Sequence, residues 1–379
     1  MGKGKIRKWE KAAAAGMAVI LTLGMAACGS SGTSGSASGT SSTGSASSGE
    51  AQADSSFKGQ TLNIYAWPEY LPDDVISDFE KEYGVTVNLT TYDSNEEMLA
   101  KVQSSKDGTY DIVMPSDYEV KEMAADGLLA KLDYDTLTNF SNLDEEYLDQ
   151  EFDPDNVYSV PYAPGEIIPC YDTAVLGDGA ITSLADLFES KYENGIVVLD
   201  GMKEVIGMAN LSVGNDLNES GDAALDKTAE ALEKLKPNIY AMAFESAQQY
   251  LLDGEVAVGY MFNGNVAMAQ MENDNIKPVW PTEGGYIWID NFCVLSSSKK
   301  QDLANTFINY ILEPEVDAKC REEIPSTDPN KAGWALVDDS LKDTALVIPE
   351  DAWEKGEYAA LLDDETSQRY SEMWTEFTK

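Results

Sequence analysis

The stretch from 62 to 114 sets the architecture. Leu62-Asn63-Ile64-Tyr65-Ala66 reads as a strand, and Pro72 to Tyr83 as a helix with Val75, Ile76, Phe79 and Tyr83 on one face and Gly84 as its stop. Val85-Thr86-Val87-Asn88-Leu89 alternates as a second strand. Ser94-Asn95-Glu96-Glu97 is a capping box opening a helix with Met98, Leu99 and Val102. Lys106-Asp107-Gly108 is a turn, and Tyr110-Asp111-Ile112-Val113-Met114 a third strand. Strand–helix–strand units at this spacing predict an α/β fold with a mostly parallel sheet.

The same style continues through the chain. Gly195-Ile196-Val197-Val198-Leu199 is a buried-strand run with a helix starting near Lys203. Asp222 to Leu235 is an amphipathic helix, Glu255 to Tyr260 a strand and Leu303 to Leu312 a helix. There is no internal repeat, P-loop or GxGxxG. The chain has 379 residues, long enough for two packed units, and 43% hydrophobic residues supply their cores. Two α/β units suggest a ligand cleft between lobes.

Charge and composition narrow the chemistry. Acidic side chains number 67 and basic ones 26, a formal charge of −41. A nucleic-acid partner is excluded, since phosphate binding needs a basic face, and cationic ligands become attractive. With no histidine, serine–histidine and cysteine–histidine triads cannot exist. A hydrolase would have to run on carboxylates. Neither a metal nor a cofactor is expected, and a monomer is expected.

The N-terminus reads as an address and a tether. Lys3, Lys5, Arg7, Lys8 and Lys11 precede 16 apolar or small residues, Ala12 to Ala27. A membrane-spanning helix needs roughly 20, so residues 1–27 read as a signal peptide. Met25-Ala26-Ala27-Cys28-Gly29 is similar to a bacterial lipoprotein lipobox, with Cys28 as the lipidated residue and Met25 where leucine is commonest. An ordinary secretory signal would leave Cys28 free. The Gly/Ser-rich stretch that follows favours the lipoprotein. Residues 28–56 cannot bury a core and form a coil whose r.m.s. reach is on the order of 30 Å. Losing residues 1–27 removes five basic side chains and one acidic one, leaving 21 against 66, or −45. Most of that excess serves solubility, and only a few carboxylates can matter to a site.

Aromatic residues gather where strands should end, as ligands do in open α/β sheets. Trp67 and Tyr70 follow the first strand, Ser116 and Tyr118 the third, and Phe262 and Asn263 the 255–260 strand. Trp288 and Asp290 share one side of a strand by its period of two. Aromatic faces attract ammonium groups by about 0.5–2 kcal/mol each. Carboxylates at both ends of a linear dication would fix its length. Such a set suits a polyamine better than a sugar or an anion.

From Leu62 to Asn330, and more weakly beyond, the chain resembles the spermidine/putrescine-binding proteins of bacterial ABC importers. The stretches that carry this are Tyr65-Ala66-Trp67-Pro68-Glu69-Tyr70, Tyr92-Asp93-Ser94-Asn95-Glu96, Tyr110 to Ser116, Leu137 to Asp144, Val160-Pro161-Tyr162, Leu235-Lys236-Pro237-Asn238 and Trp280 to Gly285. The resemblance implies a two-lobed type II periplasmic-binding-protein fold, not an enzyme, with a polyamine between the lobes and ABC permease subunits as partners. Its expected boundaries are 57–167 plus 290–336 for one lobe and 168–289 plus 337–379 for the other. Carried over residue by residue, Trp67, Tyr70, Ser116, Tyr118, Glu204, Phe262, Trp288 and Asp290 are the ligand contacts. Phe262 stands where tryptophan is usual.

Departures leave the preferred polyamine open. Gly201 replaces a ligand aspartate of spermidine binders, while Asp200 matches the putrescine-type pattern. Pro68 replaces a hydroxyl residue, Asn265 stands where putrescine binders can carry aspartate, and Ser326 where tyrosine is common. Asp200, Asn265 and Glu166 are further candidates, although Glu166 reads more simply as a solvated turn residue. Cys170 and Cys293 fall on the two inter-lobe crossovers and Cys320 on a late helix, with free buried thiols the default. Two rivals stay open: another small cationic or organic solute on the same fold, and a tethered glycoside hydrolase using paired carboxylates and aromatic platforms.

Overall fold

The computed structural model describes residues 55–244 and 246–379. The signal peptide, Cys28 and nearly all of the tether lie outside the described residues. The last tether residues, Ser55 and Ser56, already belong to a 3-10 turn, Ser55–Phe57.

The first units form as the periodicity predicts. β1 (Thr61–Ala66) leads to α1 (Asp73–Tyr83), whose first turn carries Asp73 and Asp74 against the positive end of the helix dipole. Val75 and Phe79 bury one face of α1, and Gly84 ends it at φ 66 in the left-handed region. β2 (Thr86–Thr91) pairs parallel with β1. α2 (Asn95–Ser104) begins at Ser94, whose Oγ accepts the Glu97 N–H at 3.1 Å. Glu97 reaches back to the Asp93 N–H, one residue before the cap. β3 (Ile112–Val113) is shorter than the five-residue run suggested and leads into α3 (Asp117–Ala125).

β4 (Ser159–Asp172) is a 14-residue strand, followed by α4 (Thr173–Leu176). The second α/β unit holds β5 (Ile196–Val198), α5 (Met202–Ser212), α6 (Asp222–Leu235), β6 (Ile239–Met242) and α7 (Ala247–Leu252). β7 (Val258–Phe262), α8 (Asn263–Glu272) and β8 (Ile276–Pro278) complete it. β9 (Tyr286–Val294), α9 (Gln301–Ile311), α10 (Pro314–Glu323) and β10 (Glu357–Tyr358) follow, and a C-terminal helix spans Asp364–Thr378.

One strand boundary differs from the sequence expectation. The strand read at 255–260 runs over 258–262, because the Glu255 and Val256 N–H groups donate to Tyr250 O and close α7 instead. Phe262 therefore ends a strand rather than following one.

The sheet runs in the order β2-β1-β3-β9-β4-β7-β5-β6, with β10 on β9 and β8 on β4. It is parallel within each half, β2-β1-β3 and β7-β5-β6, as expected. The two long connectors join antiparallel, so the sheet as a whole is mixed. Each half buries its own apolar core, one around Ile64, Phe79 and Phe307, the other around Val197, Val205 and Tyr260. The halves meet through β4 and β9, giving the two-lobed α/β architecture. Cys170 on β4, Cys293 on β9 and Cys320 on α10 are buried free thiols.

Candidate functional site

Asp290 on β9 is the buried hub of the candidate site. Ser116 Oγ donates to its Oδ1 at 2.5 Å and Tyr70 OH to its Oδ2 at 2.6 Å. Burial pushes this carboxyl up to about 6, opposed by the Ser116 and Tyr70 hydroxyls and the nearby Trp288 and Trp67 indoles. Ser116 can serve because it withholds its side chain from the cap of α3, which it precedes. A backbone bridge between Ser116 and Asp290 fixes the pair. The neighbouring Asp117 accepts the Ile289 and Tyr118 N–H groups, and burial pushes it up to about 7.

Asn95 organises these hydroxyls. Its buried Nδ2 donates to Ser116 Oγ at 3.0 Å and to Tyr118 OH at 2.9 Å, and its Oδ1 accepts the Ser116 N–H. With Asn95 donating to it, Ser116 Oγ keeps its own proton for Asp290. The sequence places Asn95 in a capping box and in a stretch that carries the family resemblance, but nothing in the local pattern marks its reach to residue 116.

Aromatic rings form the walls. Trp288 lies flat on Gly165 across the β4–β9 pairing, where any Cβ would collide with the indole. Phe262 meets Trp288 edge-on at 5.2 Å and faces Phe244 at 6.2 Å. Trp67 packs on Tyr92 with ring centroids 4.6 Å apart, its buried indole N–H near enough to Asp290 to favour the ionised carboxyl but without a well-formed hydrogen bond.

Glu204 supplies a second carboxylate, from the first turn of α5. Burial raises its pKa, its own backbone N–H and Lys203 lower it, and Glu96 raises it again. Its carboxylate folds over Gly201, and a Cβ there would strike Glu204 Oε2. The aspartate absent at 201 thus leaves space that Glu204 itself fills. Burial, together with the Glu204 charge, also pushes the phenols of Tyr260 and Tyr286 up.

Ser326 is engaged elsewhere, accepting a hydrogen bond from Arg321. The buried Arg321 guanidinium stacks 4.2 Å from the Tyr162 ring centroid and donates to Tyr162 O at 3.1 Å. Its Nε stands 3.7 Å from both Asp317 Oδ1 and Asp328 Oδ1. Tyr162 OH donates to Tyr70 O at 2.7 Å, so this cluster supports the loop that aims Tyr70 at Asp290.

The expected residues therefore fall into three groups. Trp67, Tyr70, Ser116, Trp288 and Asp290 converge directly. Tyr118 and Phe262 join them through Asn95 and Trp288, and Glu204 lies apart, within electrostatic reach of Lys203 and Glu96. Asp200 is exposed at the end of β5, and Asn265 is a buried donor to Gln248. Glu166 is no solvated turn residue: it lies within β4, 0% exposed, with neither carboxylate oxygen hydrogen-bonded. It opposes Ile287, and strand alternation puts it on the face away from Gly165 and Trp288. Burial alone pushes it up to about 8. Among the described residues, no cluster of histidine, cysteine or carboxylate side chains could hold a metal.

Residues 74–345 match the family of bacterial extracellular solute-binding proteins. The chain belongs to that family. This solute-binding protein is 35% identical over 312 residues to the spermidine/putrescine-binding periplasmic protein of Salmonella typhimurium, covering 80% of this chain and 90% of the other. Its fold is similar to that of the spermidine/putrescine ABC transporter substrate-binding protein of Streptococcus pneumoniae, solved with calcium and HEPES. That match has a TM-score of 0.75 at 32% identity over 84% of this chain and 99% of that one. The TpPotD lipoprotein of Treponema pallidum superposes with a TM-score of 0.73 at 26% identity, over 84% and 99%. Membership in a family of binding proteins, not enzymes, sets aside the glycoside hydrolase and accords with an extracytoplasmic site of action.

Proposed function

We propose that this solute-binding protein captures a linear polyamine between its two halves and hands it to the permease of an ABC importer. The observation that carries this is Asp290, a buried carboxylate held by two hydroxyls among two tryptophans, with a second carboxylate, Glu204, on helix α5 of the other half. Trp67, Tyr70, Ser116 and Tyr118 on one side and Phe262 and Trp288 on the other complete the contacts. Carboxylates accept from ammonium groups, and the rings cover the methylene chain and add cation–π attraction. The proposed lobes, 57–167 plus 290–336 and 168–289 plus 337–379, close about β4 and β9, because a ligand touching both favours the closed state. The spermidine/putrescine names of the relatives support the ligand class.

A calorimetric titration of the mature chain with putrescine, spermidine and spermine tests this reading. Saturable one-to-one binding that weakens with added salt is expected. No heat from any of the three, alongside binding of a neutral or anionic solute, would overturn it.

The protein works at the outer face of the membrane through a lipid on Cys28, the tether giving the body reach. A Cys28→Ala variant should leave the membrane fraction. Its continued retention there would refute the anchor.

A further inference from the structure

We propose that Lys203 sets the length of the ligand, its ammonium occupying the seat that a third ammonium beyond Glu204 would need. This deepens the polyamine reading and rests on it. Lys203 stands in the first turn of α5, immediately before Glu204. Its Nζ lies 3.6 Å from Glu96 Oε1 on α2 and 4.7 Å from the centroid of the Tyr118 ring on α3. One half of the protein thus places a cation on an aromatic face and a carboxylate of the other half.

That seat has the chemistry of a polyamine subsite, a π face beside an anion. It is filled by the protein's own ammonium. The side chain is 28% exposed, so a solubilising surface lysine does not describe it. Its field also reaches Glu204 and Glu119, easing the ionisation of both carboxyls. The ammonium therefore stands at the anionic pole contributed by α5.

A tethered cation competes at a high effective concentration with any ligand group for the same partners. A diamine needs two poles, Asp290 and Glu204, and asks nothing of the Lys203 seat on the Tyr118 ring face and Glu96. Spermidine adds an ammonium that must either displace Lys203 from Tyr118 and Glu96 or sit unpaired against a like charge. Both outcomes penalise the longer ligand selectively, which makes Lys203 a specificity determinant and not simply a contact.

The test is a side-by-side titration of putrescine and spermidine at one ionic strength, on the mature wild-type chain, Lys203→Met and Lys203→Arg. Methionine keeps an apolar stem and removes the charge. Spermidine affinity should rise at least five-fold relative to putrescine in Lys203→Met and keep the wild-type ratio in Lys203→Arg. Any loss of positive charge strengthens binding of every cation, so the ratio carries the answer. An unchanged ratio with both ligands bound overturns the gate while leaving polyamine binding intact. A wild-type chain that binds neither ligand overturns both. Lys203→Gln, polar and compatible with a helix, repeats the measurement should the methionine variant fold poorly.

Discussion

Asp290→Asn should lose about 2–5 kcal/mol of polyamine binding, an affinity drop of roughly 30-fold to several-thousand-fold. The carboxylate is buried, and its two oxygens already hold Ser116 and Tyr70, so it is an oriented acceptor for an ammonium. Asparagine keeps the shape and removes the charge. The pH dependence gives a second reading of the same group. In the empty protein burial holds Asp290 near 6, above its unfolded value. A cationic ligand favours the ionised form, so it must displace a proton below that value. Wild-type affinity should therefore fall as pH drops through 6, and the variant should lose that limb of the profile. Stability should move oppositely. A raised folded pKa means that the ionised form weakens the fold above pH 6. The neutral variant should melt at least as high as wild type at pH 8. Unchanged polyamine affinity in Asp290→Asn would remove Asp290 from the site.

Arg321→Met should lose about 3–5 kcal/mol of folding stability, measured by denaturant titration. The cluster around Arg321 holds one cation and two carboxyls, all buried. Burial, opposed by Arg321, pushes Asp317 up to about 9, and burial raises Asp328 as well. Carboxyls with raised folded pKa values contribute stability at low pH that is lost as pH rises through those values. Without the guanidinium both carboxyls move further up, so the deficit should deepen as pH rises through their wild-type values, near 9 for Asp317. Arg321→Lys should rescue little, since a point charge cannot stack on Tyr162 while reaching Ser326, Tyr162 O and two carboxylates. A loss below about 1 kcal/mol at pH 8 would show that the cluster tolerates an uncompensated carboxylate, against the expected cost of a buried unpaired charge.

The convergence of Trp67, Tyr70, Ser116, Trp288 and Asp290 agrees with the sequence expectation, whereas Glu204 was reached only through the family resemblance. Where the reading missed, the missing information was long-range. Glu166 follows Pro161, Pro164 and Gly165, residues that suggest a break in the chain. It is nonetheless buried within a continuous strand, because β9 and β7 pair with β4. Gly201 and Ser326 look in sequence like lost ligand groups. In the folded protein Glu204 fills the space over Gly201, and Arg321 engages Ser326.

By itself the sequence determined the alternation of strands and helices, the caps of α1 and α2, and the acidic, histidine-free chemistry. Those depend on side-chain period, backbone propensity and composition, which are properties of neighbouring residues. Only the tertiary structure decided which carboxylate is buried, which hydroxyl donates to it and which cation stands beside it. Ser116 and Asp290 lie 174 residues apart, and Tyr70 and Asp290 220 apart. Desolvation and hydrogen-bond partnership exist only once such distant segments pack together, and no local pattern encodes them.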